Sequence, residues 1–184
     1  MEKILKDGLL FKLLEKVDVD LAKRALTEGC GYCGEKLHRG DFPRKPRGGP
    51  QWDKRYSFDC SQCRKRKTPA SVRFLGRRVY VSVVVVLVSA MMHGLKPQRV
   101  ERLRQELGID EKTLRRWRQW WLETFVHSRF WKGAKGRLMP PVDEDRLPLS
   151  LVEAFGAREP EGMVKLLEFL APITVPGREG VVGM

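Results

Sequence analysis

The chain has 184 residues, 42% of them hydrophobic, with 36 Lys+Arg against 23 Asp+Glu and a formal net charge of +13. That length allows one domain or two small ones, and the charge favours a polyanionic partner over an acidic-surface or cationic-substrate role. The amino-terminal stretch from Met1 to Lys16 mixes lysines with Glu2, Asp7 and Glu15, which excludes a signal-peptide core, and the longest apolar stretch, Val79 to Met92, is too short to cross a bilayer.

Residues 1–28 read as helical. Ile4, Leu5, Leu9, Leu10, Leu13, Leu14 and Val17 recur at helical spacing, Asp18 or Asp20 is placed to cap a second short helix through Leu26, and Gly29 ends it.

Residues 29–75 carry the only four cysteines of the chain, as two Cys-x-x-Cys pairs: Cys30/Cys33 and Cys60/Cys63. Each pair can present two thiolates to one ion, and two pairs complete the four-sulfur shell of one structural zinc. Disulfides or a redox pair are the alternatives. The intracellular setting expected of this chain (cytoplasmic, nucleoid-associated, with no membrane partner) keeps thiols reduced and favours the metal. Gly31 and Gly34 flank the first pair, where a knuckle needs backbone freedom. The long spacer between Cys33 and Cys60 predicts a β ribbon with an extended loop over residues 41–50, rich in Pro and Gly and bearing Arg44, Lys45 and Arg47. Trp52, Lys54, Tyr56 and Phe58 alternate with Asp53, Arg55, Ser57 and Asp59, the period of a half-buried strand. Directly after Cys63 come Arg64, Lys65, Arg66 and Lys67. Such a run is often a solvated face. Anchored on a metal site, it and the loop cations become candidate phosphate contacts.

Residues 76–126 predict a buried hydrophobic helix over Val79–Met92, a short helix over Gln98–Leu107, a turn at Gly108-Ile109-Asp110 and a long helix over Glu111–Phe125. Leu114, Trp117, Trp121 and Phe125 share one face of the last. Lys112, Arg115, Arg116 and Gln119 lie on the other and are candidate DNA-reading residues. Leu103, Leu107, Ile109, Leu114 and Trp117 around the turn glycine fit a helix-turn-helix, and a plain helical hairpin shares much of the pattern. Arg104 stands where close helix approach usually wants a small side chain.

Residues 127–184 form a basic linker and C-terminal helices. Phe130 and Trp131 sit among Arg129, Lys132, Lys135 and Arg137, either to wrap nucleic acid or to anchor a loop. Asp143-Glu144-Asp145 reads as loop solvation rather than a nuclease site. Helices are expected over Leu149–Phe155 and Glu161–Leu170, the second burying Met163, Leu166, Leu167 and Leu170. The tail from Pro172 is expected to fray.

The fold class expected is therefore mainly α with a small β zinc ribbon and a three-helix, helix-turn-helix (winged-helix or homeodomain-like) core. The order of the cysteine pairs, the Arg-rich exit, the hydrophobic helix and Leu107-Gly108-Ile109-Asp110-x-x-Thr113-Leu114-x-Arg116-Trp117, with Gly94 ahead of it, resembles the zinc-ribbon plus helix-turn-helix module of bacterial insertion-sequence transposases, over about residues 30–125. In those proteins the module binds element ends and a separate carboxylate-bearing domain cuts. Here the segment after Phe125 is too short for that nuclease fold and shows no triad of acids. The resemblance implies a non-catalytic, zinc-dependent protein of a mobile element that binds specific duplex DNA, a recognition subunit for a separately encoded transposase or recombinase. A free-standing transcriptional regulator and an RNA- or ribosome-associated zinc protein are the alternatives.

Overall fold

The computed structural model describes residues 2–5, 7–44, 46, 53–75, 80–92, 101–102 and 105–175. Lys45, Arg47, Trp52, Val79, Gly94, Gln98, Leu103 and Arg104, singled out above, lie outside them, as does the tail from residue 176. The described chain is mainly helical, with a small antiparallel sheet system in its first half. No helix among the described residues is long and apolar enough to cross a membrane.

Helix α1 (Glu2–Leu5) precedes α2 (Gly8–Glu28), which the Asp7 carboxylate caps by accepting from the Leu9 and Leu10 amides. Two short helices are expected from the sequence between Leu9 and Leu26, and α2 runs through both as one. Asp18 does not cap anything: it lies in mid-helix, 1% exposed, and ligates the residues that leave the ribbon. Of the apolar stripe, Leu10 and Leu14 are buried while Leu9 and Leu13 face solvent.

The ribbon contains β1 (Leu37–Arg39), β2 (Phe42–Arg44), β3 (Asp53–Arg55), β4 (Phe58–Cys60) and β5 (Arg66–Lys67). They form an antiparallel sheet β1-β4-β5, with Leu37 opposite Cys60 and Phe58 opposite Lys67, and a separate pair β2-β3, with Phe42 opposite Arg55. Two expectations change. Arg44 stands on a strand rather than in irregular loop, because Phe42–Arg44 finds hydrogen-bonding partners in β3. The single alternating strand through Tyr56 is instead two strands in different sheets. Its burial is reversed at the break: Arg55 and Ser57 are buried and Lys54 is exposed, since Arg55 reaches the Pro69 carbonyl at 2.7 Å.

Residues 68–75 then cross to the helical body as a buried strap without regular structure. A buried loop must have its polar groups met by other means than a ladder. Asp18 does most of this. Its carboxylate accepts from the Ser71 hydroxyl (2.6 Å), the Val72 amide (2.7 Å) and Arg73 Nε (2.8 Å). Thr174 Oγ1 accepts from the Ser71 amide at 2.9 Å, and the Arg73 carbonyl accepts from the Ser82 amide at 2.7 Å. Val72, Phe74 and Leu75 fill the space beneath.

Helix α3 (Ser82–Met91) has all ten residues buried, so its valines form an interior helix. Residues 101–102 and 105–107 are helical, and Gly108 turns the chain with φ +60. Ile109 is 1% exposed, and Asp110 caps α4 (Glu111–Gln119) by accepting from the Thr113 amide and hydroxyl. The predicted helix to Phe125 is α-helical only to Gln119; Trp120–Phe125 is a π-helix. The wider winding buries Trp120 as well as Trp121 and Phe125. Beyond it come α5 (Arg129–Ala134), α6 (Leu149–Ala154) and α7 (Pro160–Leu170), with Pro160 opening the last. Helix α3 packs on α6 and also meets α4 and α7. One apolar core, running from Ile4 to Ile173, therefore includes α3, α4 and the C-terminal helices, and continues across residue 126, the boundary expected from the sequence. A small second core holds Ala22, Ala25, Leu37 and Phe58 around Cys30 and Cys60.

Asp18→Asn should lower stability by about 3–5 kcal/mol, because it leaves the Arg73 charge buried without its counter-ion. Asp20→Asn, which touches only the exposed pair with Lys23, should change it by less than about 1 kcal/mol. Urea unfolding of the two variants checks the contrast.

Candidate metal centre and cation-bearing surfaces

The two cysteine pairs sit on matching backbone turns. In the first, the Cys30 amide donates to the Glu35 carbonyl (2.9 Å) and the Gly34 amide returns to the Cys30 carbonyl (2.9 Å). In the second, the Cys60 amide donates to Lys65 and the Arg64 amide returns to Cys60, both at 3.1 Å. The fourth residue after the leading cysteine has positive φ in each: Gly34 at 76 and Arg64 at 55. Sequence reasoning places backbone freedom at Gly31 and Gly34; only Gly34 uses it, and Arg64 adopts the same turn with a side chain. Gly29, which ends α2, is needed for another reason. A Cβ there would lie 2.9 Å from the Gly34 carbonyl oxygen.

The turns bring the four sulfurs within 4.8 Å of one another, the one such metal-binding group among the described residues. The near contacts run between turns, Cys30 to Cys63 at 3.5 Å and Cys33 to Cys60 at 3.4 Å, and all four thiols are free. A disulfide needs about 2.05 Å. Four sulfurs each about 2.3 Å from a central zinc would be about 3.8 Å apart, so the cluster fits one tetrahedral ion with small adjustment. Its electrostatics suit a cation. Amides of Tyr32 and Cys33 bring the Cys30 thiol down to about 6, and the Cys63 amide draws Cys60 down as well. The Glu35 amide pulls Cys33 downward, but the Cys60 thiol, burial and its other sulfur neighbours outweigh it and hold Cys33 at about 12. Cys63 goes upward likewise, against its Lys65 amide, through burial and the Cys30 and Cys60 sulfurs. One sulfur per turn is thus ready as thiolate, and a dication would make thiolates of all four. A closed four-sulfur shell supplies structure rather than an open catalytic position. His38 is exposed on β1, outside the cluster.

The cations after Cys63 divide into two kinds. Arg64 and Lys65 are exposed, with Lys65 Nζ 3.8 Å from the centre of the exposed Tyr32 ring. Arg66 pairs with Asp59 at 3.0 Å. Lys67 is half-buried and closes the C-terminal end of α2, donating to the Ala25 and Gly29 carbonyls and to Glu28 at 2.9–3.1 Å. This is where a cation offsets the helix dipole. Four adjacent basic letters give no hint of that division.

On α4 the outward row is Lys112, Arg115, Arg116 and Gln119, all exposed, together with Arg118, which sequence reasoning passes over. Arg115 meets Glu111 at 3.0 Å, Arg116 meets the Thr113 hydroxyl at 2.9 Å and Gln119 meets Glu123 at 2.8 Å. Leu114 and Trp117 hold the opposite face in the core, with Tyr80 edge-on to Trp117 at 5.2 Å and its hydroxyl on the Gly108 carbonyl. Compared with known proteins, the chain matches no family model, no curated protein and no solved structure.

Trp131 is an anchor. It is fully buried, and its indole N–H donates to Glu144 at 2.9 Å. Glu144 also takes Lys135, and these two contacts, Lys135 foremost, lower its pKa. Asp143 accepts from the Asp145 amide. The acidic triplet is engaged in holding its own loop.

Metal analysis should find about one zinc per chain, lost in Cys60→Ser, and the variant should unfold at the lower midpoint of the chelator-treated wild type. An unchanged midpoint after zinc removal would contradict a structural role. Separately, Arg64→Gly should keep or raise stability by up to about 1 kcal/mol by relieving a left-handed residue, while Arg64→Val should lower it by more than about 1 kcal/mol. Denaturant midpoints in zinc-containing buffer read both.

Proposed function

We propose that the chain is a zinc-stabilised, non-catalytic DNA-binding protein in which α4 is the reading helix of a helix-turn-helix and the ribbon grips the backbone. The observation that carries this reading is the make-up of α4: a capped helix behind a left-handed Gly108 turn, fixed by Leu114 and Trp117, with four cations on its exposed face. A reading helix needs that rigidity behind and that charge in front. Arg115 and Arg116 would leave weak intramolecular partners for guanine or phosphate acceptors. On the ribbon, Arg66 and Lys67 hold intramolecular contacts, so backbone contact falls mainly on Arg64 and Lys65, with Arg44 on β2. The mobile-element setting, as recognition subunit for a separately encoded recombinase, rests on the sequence resemblance alone.

Selection from a random duplex pool would provide the cognate site. On it, Arg116→Ala should cost roughly 1–3 kcal/mol if it contacts a base, with little loss on random duplex. Equal losses would make it a phosphate contact. A preference for RNA over duplex at matched salt would overturn the proposal in favour of an RNA-associated role.

A further inference from the structure

Apart from the metal centre and α4, the described residues hold a place where buried charge is out of balance. It lies where the ribbon meets the strap. Arg55 on β3 is 4% exposed and feels attraction to Asp18 and repulsion from Arg44 and Arg73. Asp18 is already saturated. One of its oxygens takes the Val72 amide, and the other takes the Ser71 hydroxyl and Arg73 Nε. Arg55 donates through Nη2 to the Pro69 carbonyl, but its Nη1 is buried without a hydrogen-bond partner. A guanidinium keeps its charge and offers five donors in a fixed fork. Burying one short of both counter-charge and acceptors is costly, and an apolar side chain of the same length would pack there without that cost. The arrangement is that of a binding group awaiting its anion.

We infer that Arg55, with Arg44 beside it, is the donor side of an anion site whose occupant is a phosphate group, either of a nucleic-acid backbone or free in solution. The guanidinium fork fits two phosphate oxygens at once. The negative charge of the phosphate offsets the cations that Asp18 does not, and the partly exposed Arg44 is the member of the group that reaches solvent. Arg73, fixed by Asp18, remains behind as a stationary positive charge. The site stands independently of the reading of α4; only the nucleic-acid source of the phosphate rests on it.

The test uses the full-length, zinc-loaded protein and inorganic phosphate. Equilibrium dialysis of wild type should find about one phosphate per chain, and none bound overturns the proposal. Thermal unfolding is then compared in chloride and in phosphate at matched ionic strength. Wild type should gain several degrees more from phosphate than Arg55→Met, whose smaller gain measures the general salting effect of the ion. Equal gains overturn the proposal. In chloride alone Arg55→Met should melt no lower than wild type, as expected for removal of an unbalanced charge; a much lower melting point would make Arg55 a structural residue and also overturn it. Should Arg55→Met not fold, Arg55→Lys serves in its place, retaining charge but losing the fork and most of the phosphate gain. Displacement of bound phosphate by a DNA duplex identifies the backbone as the source, and retention identifies the free ion. Loss of DNA binding with phosphate binding intact would remove the function proposed for α4 and leave this site standing.

Discussion

The Asp18 carboxylate is the constraint on which the two halves of the molecule depend. It sits in mid-helix on α2, yet its partners are all on the strap that links ribbon to helical body. A buried, irregular strap is an expensive way to cross between two cores, since each unmatched amide carries a desolvation penalty. One saturated carboxylate removes several such penalties together. It also fixes where α3 begins, because the Arg73 carbonyl receives the first amide of that helix.

The ribbon is held from both ends of the same helix. Asp18 binds its exit, while the C-terminal end of α2 leads through Gly29 directly into Cys30 and is closed by Lys67 from β5. The small core around Phe58 would be marginal unaided. A metal bound by the four sulfurs would tie the two turns together, and the turns carry α2 and β4 with them. Zinc affinity and the orientation of the ribbon are therefore linked quantities rather than separate properties.

What can be read from the sequence follows from spacing. The paired cysteines, the interior helix Ser82–Met91, the buried face Leu114-Trp117-Trp121-Phe125 and the face Met163-Leu166-Leu167-Leu170 all rest on local periodicity or on a motif of fixed interval. What cannot be read depends on partners far away in the chain. Nothing near Asp18 announces Arg73, 55 residues on, so local spacing alone makes it a cap. Alternation points Arg55 outward because it cannot know that a carbonyl 14 residues later receives the side chain. Lys67 and Arg66 look equivalent, and only the end of α2 distinguishes them. The π-helical stretch carries no sequence signature beyond its aromatics; its winding follows from accommodating Trp120, Trp121 and Phe125 in one core.

Those aromatics form a continuous relay: Trp121 touches Phe125, which meets Trp131 and Phe130; Phe130 meets Phe169, and Phe169 meets Phe155. Close-packed rings of this kind transmit displacement rather than absorb it. The bearing of α4 is consequently set in part by rings contributed from the far C-terminal helices. Substitutions along the relay should not combine additively, and drift at Phe155 or Phe169 would be tolerated only alongside matching change near Phe125. The outward row of α4 can vary one residue at a time, whereas its support has to evolve as a block.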